Sequence, residues 1–92
     1  MMNIGGAVRE LKHGVCVARE AWGRDGRFLF LLPAATVPLA NIHTEPLRSI
    51  AEANGGTVEC LPAIRLHTAD GKVLTGWMPG VEDLLAEDWL AV

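Results

Sequence analysis

The sequence predicts an α+β fold, a small and mostly antiparallel sheet with short helices in a single domain spanning residues 1–92. Three observations predict it. A chain of 92 residues has room for one domain built around one core. Its apolar residues recur at helical spacing in brief stretches and otherwise alternate or run together as in strands. The connections between the strand candidates are hairpin-sized, too short for the crossovers that parallel pairing requires.

The elements follow in order. Asn3 is placed to cap a helix in which Ile4, Ala7, Val8 and Leu11 share a face; Lys12 and His13 occupy its last turn and Gly14 lies just past its end. The runs "VCVAR" and "RFLFLL" read as antiparallel strands around "WGRDG". Pro33, Pro38 and Pro46 punctuate a middle that reads as irregular except for "PLRSIAEANGG". There Pro46 suits a first turn, Leu47, Ile50 and Ala51 share a face, and Asn54 and Gly55 mark a stop. "AIRLHT" and "KVLTGWM" flank the turn signal "ADG", and "EDLLAED" gives an acidic helical turn before a last strand, "WLAV". No internal repeat or low-complexity run is visible.

Composition narrows the function classes. Half of the residues are apolar and 21% are charged, which is too apolar for disorder and predicts that some surface faces another copy of the chain. A net charge of −3 speaks against DNA or RNA duplexes, which are gripped by extended basic surfaces. No stretch has the roughly 20 consecutive apolar residues of a membrane span, and "MMNIGGAVRELKHG" carries charges where a signal peptide keeps an apolar run. A cytoplasmic protein with no membrane partner is expected. Cys16 and Cys60 read as reduced, packed thiols. His13, His43, His67 and the cysteines show no zinc-ligand spacing, so no metal and no cofactor are expected. Ser49, the one serine, lies in a predicted helix, and His67 and Asp70 flank a turn that backbone geometry explains, so no complete hydrolytic set can be named.

The stretch "REAWGRDGRFLFLL" carries the chemistry of interest. Arg19, Arg24 and Arg27 surround Trp22, while Gly23 and Gly26 leave turn amides unshielded. Guanidinium groups bind phosphate oxygens bidentately, turn amides can cradle an anion, and an indole face stacks on a nucleobase. The residues equally suit a polar hairpin tip in which the arginines pair with Glu20 and Asp25 and Trp22 covers the edge of the core. Further along, Trp77 and Trp89 bracket Glu82, Asp83, Glu87 and Asp88. Glu82, Glu87 and Asp88 read as a solvated acidic face, and Asp83 as a helix cap or a ribose-hydroxyl acceptor.

Two blocks, "GGAVRELKHGVCVAREAWGRDGRFLFL" and "IRLHTADGKVLTGWMPGVEDLLAEDWLAV", resemble the two halves of the phage Thoeris anti-defence 2 family, the second being the more specific through "TADG", "GW" and "DLLAEDW". Residues 33 to 62 match only loosely. The resemblance implies a small homotetramer that sequesters the cyclic ADP-ribose isomers of bacterial Thoeris immunity without degrading them, in the host cytoplasm; some members also take cyclic oligonucleotides in a separate pocket. By position it carries over Trp22, Gly23 and Phe28 from the first block and Thr68, Asp70, Trp77 and Asp83 from the second. Arg24 and Arg27 depart from the family pattern and are included for their chemistry alone. The resemblance favours the ligand reading of the hairpin tip. Trp22 is expected to stack on the base, Arg24 and Arg27 to neutralise the pyrophosphate, and Asp83 or Thr68 to meet ribose hydroxyls. The protein is thus expected to be a binder and not an enzyme. The alternatives are a protein-binding inhibitory or structural phage module, and a hydrolase of the signal.

Overall fold

Helix α1 spans Ile4–Lys12, and the Asn3 carboxamide oxygen accepts the Gly6 N–H at 3.0 Å, as the capping pattern predicts. Gly6 is a glycine for want of room: a Cβ there would stand 2.9 Å from the Met2 side chain. Ala7 and Leu11 form the buried stripe, Arg9 and Lys12 sit in the last turn where the helix dipole favours cations, and Gly14 leaves with φ +81°. The computed structural model describes residues Met1–Val92.

The strands are β1 (Val17–Arg19), β2 (Phe28–Leu32), β3 (Ala35–Pro38), β4 (Thr57–Cys60), β5 (Ala63–His67), β6 (Val73–Thr75) and β7 (Trp89–Ala91). Two further short helices follow, α2 (Leu47–Ala53) and α3 (Val81–Leu85). Every strand pair is antiparallel, so the α+β class and the sheet type agree with the sequence reading. The chain divides into two compact units, Met1–Leu32 with Ala63–Val92, and Pro33–Pro62.

In the first unit a five-stranded sheet runs in the order β6-β5-β2-β1-β7. Helix α1 packs against β7, β2 and β1, and this face buries Ala7, Leu11, Val17, Leu29 and Trp89. Val17 pairs with Leu29, Ala18 with Leu90, and Phe28 with His67. Side chains alternate across a strand, so Ala18, Leu90, Phe28 and His67 share the face opposite α1. Trp89 is wholly buried, its indole N–H donating to the Asp83 carbonyl at 3.1 Å, and Trp22 and Trp77 meet it edge to face at 5.6 and 6.2 Å.

The second unit holds the expected helix, α2, with Asn54 at its C-cap, but the rest of it differs from its reading as irregular chain. Strands β3 and β4 pair in full register, from Ala35↔Cys60 to Pro38↔Thr57, with α2 between them in sequence. Ile42, Ala51 and Val58 form a buried cluster of their own, with Val37, Leu39, Leu47 and Cys60 against it. The structure therefore has two apolar clusters where the sequence reading has one core. Strand β6 is also shorter than "KVLTGWM", because Gly76 at φ +88° turns the chain before Trp77. Cys16 and Cys60 are both free thiols. No helix is long and apolar enough to cross a membrane.

Candidate ligand-binding site

A cleft of about 640 Å³ lies on the sheet face opposite α1. That size is within the range of about 300–1,000 Å³ common to small-molecule sites. Its floor is the strand register already described: Ala18 from β1, Phe28 from β2, His67 from β5 and Leu90 from β7. Its wall is the connection from β1 to β2, which contributes Glu20, Trp22, Arg24, Gly26 and Arg27.

That connection is a 3₁₀ turn over Glu20–Trp22 followed by a tip with three left-handed residues, Gly23 at φ +67°, Arg24 at +57° and Gly26 at +99°. For glycine this conformation is free of strain, but Arg24 carries a Cβ, and a non-glycine residue held there costs about 1–3 kcal/mol. The strain is concentrated at a residue that lines the cleft. Asp25 organises the tip: its carboxylate accepts the Arg27 backbone N–H at 3.0 Å and the Arg27 Nε–H at 2.8 Å. Arg27, through its N–H first and its guanidinium second, holds the Asp25 carboxyl below the usual range. So restrained, the guanidinium lies over the Trp22 ring with its carbon 5.0 Å from the centroid.

Arg19 behaves differently from its two companions. It donates to Asp88 through Nε at 2.9 Å and to Asp83 through Nη1 at 3.0 Å, and all three side chains are at most a quarter exposed. Asp88 also accepts the Ala21 N–H at 2.9 Å. The bond Arg19 donates to Asp88, then that to Asp83, raises the Arg19 pKa, and Arg19 in turn holds Asp88 below the ordinary carboxylate range. Asp88 is thus an ion-pair partner and not part of a solvated face. A carboxyl with a lowered folded-state pKa contributes stability above its unfolded value near 3.8, and that contribution is lost as pH falls through the folded-state value. Asp88→Asn is accordingly expected to melt lower than the parent at pH 7 and to lose less on acidification below about pH 4, as thermal melts across pH would measure. Part of the acid sensitivity remains in the variant, because Asp25 and Asp70 are lowered as well.

The structure brings Trp22, Arg24, Arg27 and Phe28 to one cleft, with Gly23 in the tip that shapes it. The other residues singled out in the sequence stand elsewhere. Thr68 and Asp70 build the β5–β6 turn: the Thr68 hydroxyl donates to the Asp70 carboxylate and accepts the Lys72 N–H at 2.9 Å. Trp77 packs on the α1-side cluster, hydrogen-bonded through its backbone to Ile64. Asp83 accepts from Arg19 and, at 3.2 Å, from the Gly80 N–H at the start of α3. Its carboxylate is spent on folding. Conversely, His67, Ala18 and Leu90 line the cleft and escaped selection from the sequence, for only the pairing of four strands places them beside the tip.

These two faces, a tryptophan-centred core and an arginine-edged cleft, are assembled from the two sequence blocks at either end of the chain. A family model described as "Thoeris anti-defense 2-like domain" matches residues 2–92, nearly the full length. The chain belongs to the Thoeris anti-defence 2-like family. It is also 33% identical over 88 residues to "Thoeris anti-defense 2" of Bacillus phage SP01, covering 96% of this chain and 91% of that protein. Thoeris anti-defence 2-like membership supports a phage anti-defence role, and the match includes the middle segment that the sequence blocks left out.

Proposed function

We propose that the protein binds a cyclic ADP-ribose signal in the cleft beside Trp22 and withholds it, intact, from the immune effector that the signal activates. The observation that carries this reading is the placement of Trp22, Arg24 and Arg27 on one cleft wall, above an apolar floor. The ligand has an adenine, two riboses and a pyrophosphate, and the wall offers the Trp22 indole for the first and two guanidinium groups for the last. Arg19 is neutralised by Asp83 and Asp88, so the anion falls to Arg24 and Arg27. The Arg27 Nη groups remain for phosphate oxygens, since Asp25 engages its Nε. Phe28, Ala18 and Leu90 give the cleft an apolar floor, and lower polarity beside it strengthens each charged hydrogen bond.

Retention without turnover is the second half of the proposal. Sub-nanomolar sequestration asks for more than about 12 kcal/mol, so a largely enclosed ligand is needed. Exposed Leu74, Met78, Val81 and Leu85 support self-association, in keeping with the homotetramer that the family resemblance implies, acting inside an infected bacterium. Thr68 and Asp83 have no part in the proposed contacts.

The test is recovery of the ligand. Purified protein mixed with cyclic ADP-ribose isomers is expected to melt at a higher temperature and, after heat denaturation, to return the isomer unchanged on chromatography. A linear or hydrolysed product in the supernatant would reject sequestration in favour of catalysis.

A further inference from the structure

His67 is the one imidazole in the cleft, and its surroundings fix how it can act. Its ring stacks on Phe28 at 4.5 Å between centroids and 10° between planes, which covers one face. Its Nδ1 lies 3.0 Å from the Gly26 carbonyl oxygen. A carbonyl oxygen only accepts, so Nδ1 carries the hydrogen and the neutral ring has its lone pair on Nε2. Protonation therefore takes place at Nε2 alone, keeps the bond to Gly26, and turns an acceptor into a charged donor. Nε2 has no hydrogen-bond partner in the chain, while Arg24 and Arg27 line the same cleft.

We infer that His67 is a ligand-binding residue of this cleft, meeting the anionic group of the ligand as an imidazolium through Nε2, so that binding takes up a proton and tightens as pH falls. The inference rests on the anion-binding reading above. Of the charged groups, Glu20, Arg24 and Arg27 of the tip and Arg19 of β1 line the cleft with the ring, Asp25 stands in the same tip, Arg65 is two residues back on β5, and Asp70 and Lys72 belong to the next turn. Leu90, Ala91 and Val92 bring no charged side chain. Asp25 and Asp70 are held below the ordinary carboxylate range by Arg27 and Thr68 respectively. Both stay ionised throughout pH 5.5–8, the window in which histidine ordinarily titrates, and neither produces a slope there.

Calorimetric titration of the full chain with a cyclic ADP-ribose isomer, in buffers of different ionisation enthalpy between pH 5.5 and 8, tests this. Expected are proton uptake and an affinity that rises by about 3- to 10-fold per pH unit on the steep part of the curve, the upper figure being the limit for one linked proton. In His67→Gln and His67→Phe the slope should vanish, whereas His13→Gln, altered at the end of α1, should keep it. Uncharged adenosine should show no slope. In the parent protein, the His67 ¹⁵N resonances should move to imidazolium positions when the ligand is added, a readout that needs no variant. Binding without proton uptake, or a slope that persists in both His67 variants, overturns the assignment while leaving sequestration standing. No binding at any pH overturns both.

Discussion

Trp89→Ala is expected to lower folding stability by about 3–5 kcal/mol, the usual cost of truncating a buried large aromatic side chain to alanine. Small domains have about 5–15 kcal/mol in all, so this one substitution takes a large share. Trp89 has no exposed surface, and its indole anchors Trp22 on one side and Trp77 on the other. Its N–H holds the Asp83 carbonyl, and its backbone exchanges hydrogen bonds of 2.7 and 3.0 Å with Met2. Truncation leaves a cavity where three elements meet and strips a carbonyl of its donor. Urea denaturation, with circular dichroism as the readout, should show a midpoint far below that of the parent or no folded baseline at all. Trp89→Phe should recover part of the loss by filling most of the volume without the N–H. An unchanged midpoint in Trp89→Ala would refute the central role given to this residue.

Trp22→Ala should have the larger effect on binding and a smaller one on folding. Trp22 is only partly buried, touching the cluster through its edge-to-face contact with Trp89 while lining the cleft. Base stacking on an aromatic side chain is worth about 1–3 kcal/mol, so the affinity for a cyclic ADP-ribose isomer should fall by about 5- to 150-fold. The loss of the platform beneath Arg27 adds to this, since the guanidinium over the ring then has one restraint, Asp25, in place of two. Trp22→Phe retains a π face and should bind with intermediate affinity. Both variants should keep the parent circular dichroism spectrum. A folded Trp22→Ala protein that binds as tightly as the parent would remove stacking from the mechanism.

Much of the architecture was legible because its signals are local. The Asn3 cap, the Leu11 stripe and Gly14 define α1 within a dozen residues, and "ADG" declares the β5–β6 turn by itself. The β3–β4 pair was not legible. Its strands are short, the first ends in Pro38, and α2 separates them, so no turn signal joins the two runs. A proline at the end of an edge strand is tolerated because no ladder bond requires its missing N–H. The candidate site divides along the same line. Trp22, Arg24 and Arg27 stand together in sequence, whereas His67 and Leu90 reach the cleft only through strand register. The fate of Arg19 was equally hidden, because its partners Asp83 and Asp88 lie more than sixty residues away along the chain. The neighbouring Glu20, which charge alone suggested as its partner, instead lines the cleft.

The strained tip between β1 and β2 has a consequence for how such a protein can diversify. Arg24, Asp25 and Arg27 belong to neither buried cluster and to no strand ladder. Their exchange leaves both clusters intact and costs chiefly the contacts of the tip itself, the Asp25–Arg27 ion pair and the Arg27–Trp22 contact. Relieving the left-handed Arg24 with glycine would even be favourable for folding. Under the proposed contacts of Arg24 and Arg27, the scaffold tolerates turnover of the side chains that would choose among messengers, and a lineage pressed by changing host signals would retune its selectivity in a few mutational steps while the tryptophan-centred core stays as it is.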